Sequence, residues 1–494
     1  MSFAYTRRMP APLLPSSSSS SRLRAQQALS RAAGAPLLSG NAVEMLIDAA
    51  ANYAAWLEAI RGAQQRVLLE NYIVRDDAVG REFRDALVER AQAGVLVAVI
   101  VDWVGCLGLS RSSFWAPLRA AGGQVRVYNP PQLGQPFGWL SRDHRKSLVV
   151  DGRVGFLSGV CISAKWLGDP SRDVPPWRDT GVALRGPVVT ELDTAFAQSW
   201  REIGPALDEF PLLPEPAAPA GDVSLRLIAT QPSSAGMYRL DQLIAALARK
   251  TLWLTDAYFV GIAPYVQALV AAARDGVDVR LLVPGSSDIP AVASISRSGY
   301  RPLLKAGIRV FEWNGSMLHA KTAVADGQWA RVGSSNLNIA SWLGNQELDV
   351  AIEDTGFARQ MAAQYERDLE NATEIVLAPH RRHGHAERVR TSQARPRVRH
   401  GGGSSGRAAA GALRLANSVG AALGHRRVLG ATSAKPLFVA AMVLLVLTAV
   451  AILWPAWIGW PFAALCAWFA LNLGIRGWRL GRRHQREVRE ADRG

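Results

Sequence analysis

The order of helix and strand patterns in the first part of the chain occurs a second time further along. Each copy has a helical segment, a strand, another helical segment and an apolar strand. The segments are 51–62, 66–73, 81–93 and 95–101, and then 243–250, 251–260, 265–275 and 277–283. Tyr72 and Tyr258 are 186 residues apart, and Gly94 and Gly276 are 182 apart. This indicates one duplication, and the alternation predicts two tandem α/β lobes with βαβ units on largely parallel sheets.

Each copy continues into a motif with a histidine, a lysine two residues later and then an aspartate followed by glycine. The members are His144, Lys146 and Asp151 in the first copy and His319, Lys321 and Asp326 in the second. An Asp-Gly pair between two apolar runs predicts a β-hairpin. Residues two apart on a strand face the same side, so each histidine is expected to share one space with its lysine.

The two motif histidines are the only histidines in residues 1–375, where only five lysines occur. The alternative is that each is a surface or satisfied core histidine beside an ordinary turn. Lysine at the same spacing after both histidines would be a rare coincidence under that alternative. The pattern therefore favours one composite site between two lobes.

Two imidazoles and two ammonium groups around one point suit a phosphodiester. Ammonium groups neutralise the non-bridging oxygens, and Ser334 and Asn336 can add neutral donors. One imidazole can attack phosphorus while the other protonates the departing alkoxide. Each imidazole needs a partner on its far nitrogen. The candidates are Asp179, 35 residues after His144, and Glu347, 28 residues after His319; a surface salt bridge is the alternative for each.

With these residues the chain resembles the phospholipase D superfamily, whose duplicated His-x-Lys-x4-Asp motifs form one site, and within it the bacterial cardiolipin synthases. The resemblance runs from about residue 40 to residue 375 and includes segments 142–146, 176–180, 333–336 and 345–347. It implies an α/β fold of two tandem phospholipase D-like lobes, each a mixed sheet flanked by helices. It also implies a phosphohistidine intermediate, no metal or other cofactor, and motif aspartates that are mainly structural.

The resemblance also assigns roles to the candidate residues. The candidate catalytic set is His144, Lys146, Asp151, His319, Lys321 and Asp326; the phosphate-binding pair is Ser334 and Asn336; the histidine-orienting pair is Asp179 and Glu347. Within the catalytic set, His144 is expected to be the nucleophile and His319 the general acid and base. The reverse assignment stays open.

The first motif departs from the family pattern, which usually ends Gly-Gly-x-Asn. Residues 158–161 are Ser-Gly-Val-Cys here. A thiol cannot donate as an amide does, so the phosphate contact from the first lobe stays open, and a reactive thiol at Cys161 is the alternative. Cys106, Cys161 and Cys466 are far apart in sequence, which predicts buried free thiols rather than a metal site or a disulfide framework.

The positive charge belongs to the C-terminal fifth of the chain. Residues 1–375 hold 37 Lys and Arg against 37 Asp and Glu, whereas the whole chain has a formal net charge of +15. Residues 437–475 contain no charged residue. That length suits two short membrane spans, with Pro455 and Pro461 at the turn of a helical hairpin. Arginines flank both ends, which places both flanks in the cytoplasm; a buried helical pair is the alternative.

These features predict six segments. They are a disordered or loosely helical leader (1–38), a first lobe (39–205), a second lobe (222–375), a basic Arg/Gly/Ser-rich linker (376–435), two transmembrane helices (436–476) and a basic cytoplasmic tail (477–494).

The resemblance implies that the chain is a cardiolipin synthase that transfers a phosphatidyl group from one phosphatidylglycerol to another. The alternatives are a hydrolytic phospholipase D and a phosphatidylethanolamine-using phosphatidyltransferase. A nuclease is disfavoured because its groove would carry phosphate-binding charge, and a non-catalytic scaffold would not need both motifs. The expected partners are membrane phospholipids (phosphatidylglycerol and cardiolipin), with no nucleic acid and no obligate protein partner. The expected location is the bacterial cytoplasmic (inner) membrane, as a multi-pass protein with the catalytic body and both termini in the cytoplasm.

Overall fold

Both lobes contribute strands to one sheet in this computed structural model, which describes residues 17–109, 113–131, 140–205 and 217–377 together with Trp468. The fifteen strands of the described residues lie in the order β15-β11-β10-β9-β12-β13-β14-β8-β1-β7-β6-β5-β2-β3-β4. Their bounds are β1 Leu38–Ile47, β2 Arg66–Asn71, β3 Leu96–Asp102, β4 Gln124–Tyr128, β5 Lys146–Val150, β6 Val154–Ser158, β7 Thr180–Arg185, β8 Val223–Thr230, β9 Thr251–Thr255, β10 Asp278–Pro284, β11 Arg309–Trp313, β12 Thr322–Ala325, β13 Trp329–Gly333, β14 Glu347–Glu353 and β15 Ala372–Ile375.

Helices pack on both faces of this sheet. Within the described ranges they are α1 Ser17–Ala33, α2 Asp48–Gly62, α3 Ala78–Gln92, α4 Ala116–Ala120, α5 Val188–Glu202, α6 Gly236–Leu247, α7 Ala263–Arg274, α8 Pro290–Ser298, α9 Tyr300–Lys305 and α10 Thr355–Glu370. Single turns of 3-10 helix occur at Ser113–Trp115, Ala164–Leu167 and Pro170–Arg172, and Ala340–Gly344 forms a turn of π-helix.

The duplication predicted from the sequence is visible in the strand order. β1 and β8 lie antiparallel at the centre. Outward from them the two lobes repeat one order, β7-β6-β5-β2-β3-β4 and β14-β13-β12-β9-β10-β11. In each lobe the first four pairings are antiparallel and the last two are parallel. The sheet is therefore mixed, as the resemblance implied. The expectation of largely parallel sheets was wrong because the motif hairpins contribute antiparallel strands.

Local sequence explains where these elements begin and end. The carboxylate of Asp77 accepts a hydrogen bond of 2.9 Å from the amide of Gly80 and so caps the start of α3. Gly94 and Gly276 are the second residues after the ends of α3 and α7, with φ of 84° and 91°. Those angles belong to the left-handed region, which glycine adopts without strain and which ends a helix. The repeated glycines thus mark the same helix stop in both lobes.

A shared core on one face of the sheet joins the two lobes. It contains Leu192, Phe196 and Trp200 from α5 and Phe357 and Met361 from α10, packed against strand residues of both lobes. Burying a side chain of this size stabilises the fold by about 1.5–3 kcal/mol. The two helices therefore hold the first and second lobes together around the central strands.

The leader is ordered where the structure describes it. Ser17–Ala33 forms α1, and Leu29 and Ala33 are buried against second-lobe residues. The guanidinium of Arg226 on β8 donates to the side-chain oxygen of Gln26 at 2.7 Å. The disordered alternative for the leader was therefore wrong for residues 17–33, because α1 has an apolar face with a partner in the second lobe.

The predicted C-terminal membrane hairpin is not tested by the described fold. Among the described residues, no helix is both long and apolar enough to cross a membrane. The predicted hairpin at 436–476 lies outside those residues, as do the linker beyond residue 377 and the tail. The described residues of both lobes belong to one compact unit.

Candidate active site

Two equivalent hairpins position the motifs. β5 and β6 form the first and β12 and β13 the second, and each motif histidine lies just before the first strand of its hairpin. The turns are the Asp-Gly pairs 151–152 and 326–327, in which all four residues have positive φ, from 52° to 62°. That combination defines the tight turn whose twist matches that of the flanking strands. The predicted hairpins are confirmed.

The motif aspartates bind backbone at the far end of each hairpin. The carboxylate of Asp151 accepts from the amides of residues 64, 65 and 66 at 2.8, 2.8 and 2.9 Å. Asp326 accepts from the amides of residues 249, 250 and 251 at 2.9, 2.7 and 2.9 Å. Each aspartate thus ties its hairpin to the start of the neighbouring strand, which is the structural role that the resemblance implied.

The first histidine is held by the second lobe. The amide of His144 donates to the carbonyl of Gln346 at 2.9 Å, and the amide of Gln346 donates to the carbonyl of Arg142 at 2.7 Å. This short parallel bridge brings the next residue, Glu347, to the imidazole. Oε2 of Glu347 is 2.8 Å from Nδ1 of His144, and both side chains are buried.

The second histidine is held by the first lobe in the same way. The amide of His319 donates to the carbonyl of Arg178 at 2.7 Å, and the amide of Arg178 donates to the carbonyl of Met317 at 2.9 Å. Oδ2 of the following residue, Asp179, is 2.8 Å from Nδ1 of His319. Each carboxylate therefore orients the histidine of the other lobe. The spacing in the sequence, counted within one lobe, does not reveal this crossing.

The two lysines are buried beside their histidines. Nζ of Lys146 donates to the carbonyl of His144, and Nζ of Lys321 lies 3.0 and 3.1 Å from the two ring nitrogens of His319. Burial lowers the pKa of Lys146. Burial also lowers the pKa of Lys321 to about 8; Asp179 opposes this shift and the charge of Lys146 adds to it. The charge of Lys146 thus acts on Lys321, and the crossed carboxylates, each 2.8 Å from the histidine of the other lobe, join the two half-sites into one site.

The acid and base groups of the two half-sites differ in their protonation equilibria. Burial, and then the charge of Lys321, lower the pKa of His319 to about 4. Burial alone would raise the pKa of Asp179, but His319 and Lys321 hold it below its usual range. Burial raises the pKa of Glu347 despite Lys146. The second imidazole is therefore neutral near pH 7, and its unprotonated ring nitrogen is available as a base or nucleophile.

The predicted phosphate-binding pair has described contacts of its own. Oγ of Ser334 donates to Oε2 of Glu347 at 2.6 Å and accepts from the amide of Leu348 at 2.9 Å. A hydroxyl has one proton, so a contact from Ser334 to phosphate requires the bond to Glu347 to be exchanged. The side-chain oxygen of Asn336 is buried, and it has no hydrogen-bond partner in the part of the chain that the structure describes. Phosphate binding by these two residues stays a prediction.

In the first lobe, different residues support the orienting carboxylate, Asp179. Gly159 stands where the second lobe has serine, and a Cβ added there would lie 2.1 Å from Oδ1 of Asp179. Instead, the indole of Trp166 donates to Oδ2 of Asp179 at 3.2 Å. Cys161 is buried, and burial raises the pKa of its thiol. Sequence reasoning missed Trp166, because nothing in its local pattern indicates a partner thirteen residues away.

Aromatic rings line both histidines. The ring centroid of Tyr72 is 4.8 Å from that of His144, and the ring centroid of Tyr258 is 5.9 Å from that of His319. The equivalence of these tyrosines indicated the duplication, although no role was predicted for them. In the structure they form matching walls of the two half-sites.

Arg145, the middle residue of the first motif, reaches across the lobes. Its buried guanidinium donates to the carbonyl of Glu347 at 3.2 Å and to Oγ of Ser199 on α5 at 2.8 Å. It therefore fixes the backbone of the carboxylate that orients His144. Sequence reasoning did not single out this residue.

Within the described ranges, no three or more His, Cys, Asp or Glu side chains are grouped so that they could hold a metal ion.

Comparison with known proteins agrees with this geometry. A family profile described as "Cardiolipin synthase, PLD-like domain" matches residues 56–167 and 241–369. A cardiolipin synthase of Alkalihalophilus pseudofirmus is 33% identical over 69% of this chain and 68% of its own length. Cardiolipin synthase A of Pseudomonas aeruginosa is 34% identical over 71% of each chain.

A solved structure supports the fold. The chain resembles a phosphatidylserine synthase from Haemophilus influenzae with a TM-score of 0.56, at 15% identity, over 71% of this chain and 92% of that one. At this identity the likeness concerns the fold alone. On the strength of the profile and the relatives, the chain belongs to the PLD-like cardiolipin synthase family.

Proposed function

We propose that this family member is a cardiolipin synthase that converts two molecules of phosphatidylglycerol into cardiolipin and glycerol through a phosphohistidine. The observation that supports it most strongly is the crossed pair of buried histidines, each bound to a carboxylate of the other lobe at 2.8 Å. A nucleophile and an acid-base group are thereby fixed around one point. The two buried ammonium groups supply the charge that a phosphodiester needs.

In the first step His144 attacks phosphorus. Its Nδ1 faces Glu347, so the proton lies on Nδ1 and the lone pair on Nε2. The new P–N bond forms as the bond from phosphorus to the glycerol oxygen breaks, and His319 gives its proton to that oxygen. The anionic diester offsets the Lys321 charge that depresses the pKa of His319, so substrate binding favours the protonated imidazole that this step requires.

In the second step a hydroxyl of another phosphatidylglycerol attacks the phosphorus. His319, now neutral, takes the proton of that hydroxyl, the P–N bond breaks and cardiolipin leaves. Water in place of the alcohol would give phosphatidic acid, and another headgroup on the donor would give a different leaving alcohol. Those are the hydrolase and the phosphatidylethanolamine alternatives.

The C-terminal segment supports action at a membrane. We infer that residues 436–476 anchor the chain in the bacterial cytoplasmic membrane as a helical hairpin, with the catalytic body and both termini in the cytoplasm. The support is the charge-free run 437–475 with arginines on both sides. Basic residues close to anionic lipid gain about 1 kcal/mol each, which would favour membranes rich in phosphatidylglycerol.

The test supplies membranes that contain the full-length chain with labelled phosphatidylglycerol and follows the lipid products. Cardiolipin and glycerol in equal amounts are expected. His144→Ala and His319→Ala are expected to lose roughly 10⁴-fold or more of the transfer rate, because each removes a group used in both steps. His400→Ala, which changes a histidine of the linker, is the matched control. Phosphatidic acid as the only product would identify a hydrolase, and no lipid turnover would refute the proposal.

A further inference from the structure

A charged pair from the two lobes stands at the more exposed side of the second half-site. Nζ of Lys165, in the turn Ala164–Leu167, is 3.8 Å from Oδ2 of Asp288, which precedes α8. Their side chains are 33% and 17% exposed, whereas the side chains of His319 and Asp179 are 6% and 0% exposed. The pair is therefore more accessible to solvent than the imidazole and the carboxylate that orients it.

Two aromatic side chains connect the pair to the imidazole. Nζ of Lys165 lies 4.2 Å from the ring centroid of Trp177, whose ring is 5.7 Å from that of His319. The hydroxyl of Tyr258 donates to Oδ1 of Asp288 at 2.7 Å, and the ring of Tyr258 is 5.9 Å from that of His319. We call Lys165, Trp177, Tyr258 and Asp288 the alcohol subsite.

We propose that the alcohol subsite binds the neutral polyol headgroup of phosphatidylglycerol beside His319. In the first step it would hold the glycerol that leaves, and in the second step the headgroup of the lipid that attacks. This inference rests on the proposed function, in which His319 exchanges its proton with both of these alcohols. It adds the residues that select which alcohol is used.

The chemistry of the subsite suits a polyol. The separation of 3.8 Å between Nζ and Oδ2 is too long for a hydrogen bond. A hydroxyl can bridge the two atoms, since it accepts from the ammonium and donates to the carboxylate. The rings of Trp177 and Tyr258, which lie between the pair and His319, can contact the carbon atoms of the polyol at their edges. The Lys165 ammonium repels a cationic headgroup such as ethanolamine, whereas glycerol carries no charge.

Asp288→Asn and Lys165→Met test the proposal in the full-length chain in membranes. Asp288→Asn is expected to raise the KM for phosphatidylglycerol about tenfold, because one charged hydrogen-bond partner is lost. The ratio of phosphatidic acid to cardiolipin should rise as well, since water replaces an alcohol that binds less tightly. Lys165→Met is expected to increase the use of phosphatidylethanolamine as donor relative to phosphatidylglycerol, again by about tenfold. Tyr258→Phe, which removes one hydroxyl, should change KM in the same direction as Asp288→Asn.

Controls separate this proposal from a general loss of structure and from failure of the proposed function. Lys305→Met and Asp275→Asn remove the same charges at exposed second-lobe positions, and both should keep the wild-type KM and product ratio. A lower kcat with unchanged KM, product ratio and donor preference in all three subsite variants would overturn the subsite. A wild-type chain that makes no cardiolipin would instead overturn the proposed function.

Discussion

The two half-sites have the same backbone frame but different supporting residues. In both, a histidine lies 2.8 Å from a carboxylate that a cross-lobe bridge delivers. A serine hydroxyl supports Glu347, whereas a tryptophan indole supports Asp179. Burial raises the pKa of Glu347, while the charges around Asp179 lower its pKa. The two halves thus share one geometry but differ in their electrostatics, as the proposed division into a nucleophile and an acid–base group requires.

Among the residues that support the two histidines, the orienting carboxylates should have the largest effect. Glu347→Gln and Asp179→Asn should each lower kcat by roughly 10³–10⁴-fold, as the loss of an orienting carboxylate does in other histidine-dependent sites. The variants should differ with a phosphodiester whose leaving group is nitrophenol, which departs without a proton. In stopped-flow measurements, nitrophenol released in the first turnover appears as a burst. Asp179→Asn should keep this burst, and Glu347→Gln should lose it. The opposite result would reverse the roles of the two histidines.

The next effect concerns pH. Because burial lowers the pKa of Lys321 to about 8, kcat/KM should fall as the pH rises through about 8, when the free enzyme loses this ammonium. The decline should approach roughly tenfold per pH unit. Lys321→Arg should be slower at neutral pH but should lack the decline, since a guanidinium stays charged. If kcat/KM stopped falling above pH 8 in Lys146→Arg but not in Lys321→Arg, the group that titrates would be Lys146 of the first half-site.

Removing the supporting donors should have a smaller effect. Ser334→Ala and Trp166→Phe each take one hydrogen bond from an orienting carboxylate and should lower kcat about tenfold. Because the two bonds lie in different halves, the effects of the double variant should multiply. Steady-state kinetics at saturating lipid measure this. A double variant no slower than Trp166→Phe would show that the halves are not independent.

The smallest effect is expected at Cys161. Burial keeps its thiol neutral, and a thiol is a weak donor, so Cys161→Ala should change kcat/KM by less than about threefold. Asn336→Ala, at the matching position of the second lobe, should lower kcat/KM about tenfold because an amide is a stronger donor. Equal losses in the two variants would mean that the first lobe also contacts the phosphate from this position.

The sequence predicted those features that depend on local chemistry. The Asp-Gly pairs predicted the hairpins, and the repeated glycines and tyrosines predicted the duplication. The strand expected at 251–260 ends at Thr255 instead, because the carboxylate of Asp256 binds the amides of Tyr258 and Leu337 and turns the chain away from the sheet. An apolar run alone does not reveal such a bend.

The helix at 243–250 was also placed too late. α6 begins at Gly236 and ends at Leu247, and it packs against α1, which the sequence analysis assigned to the leader. The crossing of the carboxylates and the bond from Trp166 to Asp179 arise from tertiary contacts between distant segments. Local patterns determine which residues are available, and the assembly of the lobes determines how they pair.

The crossed bridges have a consequence for synthesis. The N-terminus of a chain emerges first from the ribosome, and domains generally fold as they emerge. His144 is made early, but its carboxylate partner is 203 residues further along. A nascent first lobe can therefore fold before His144 is oriented, and we expect no activity towards lipid until the second lobe has been completed and has paired with it.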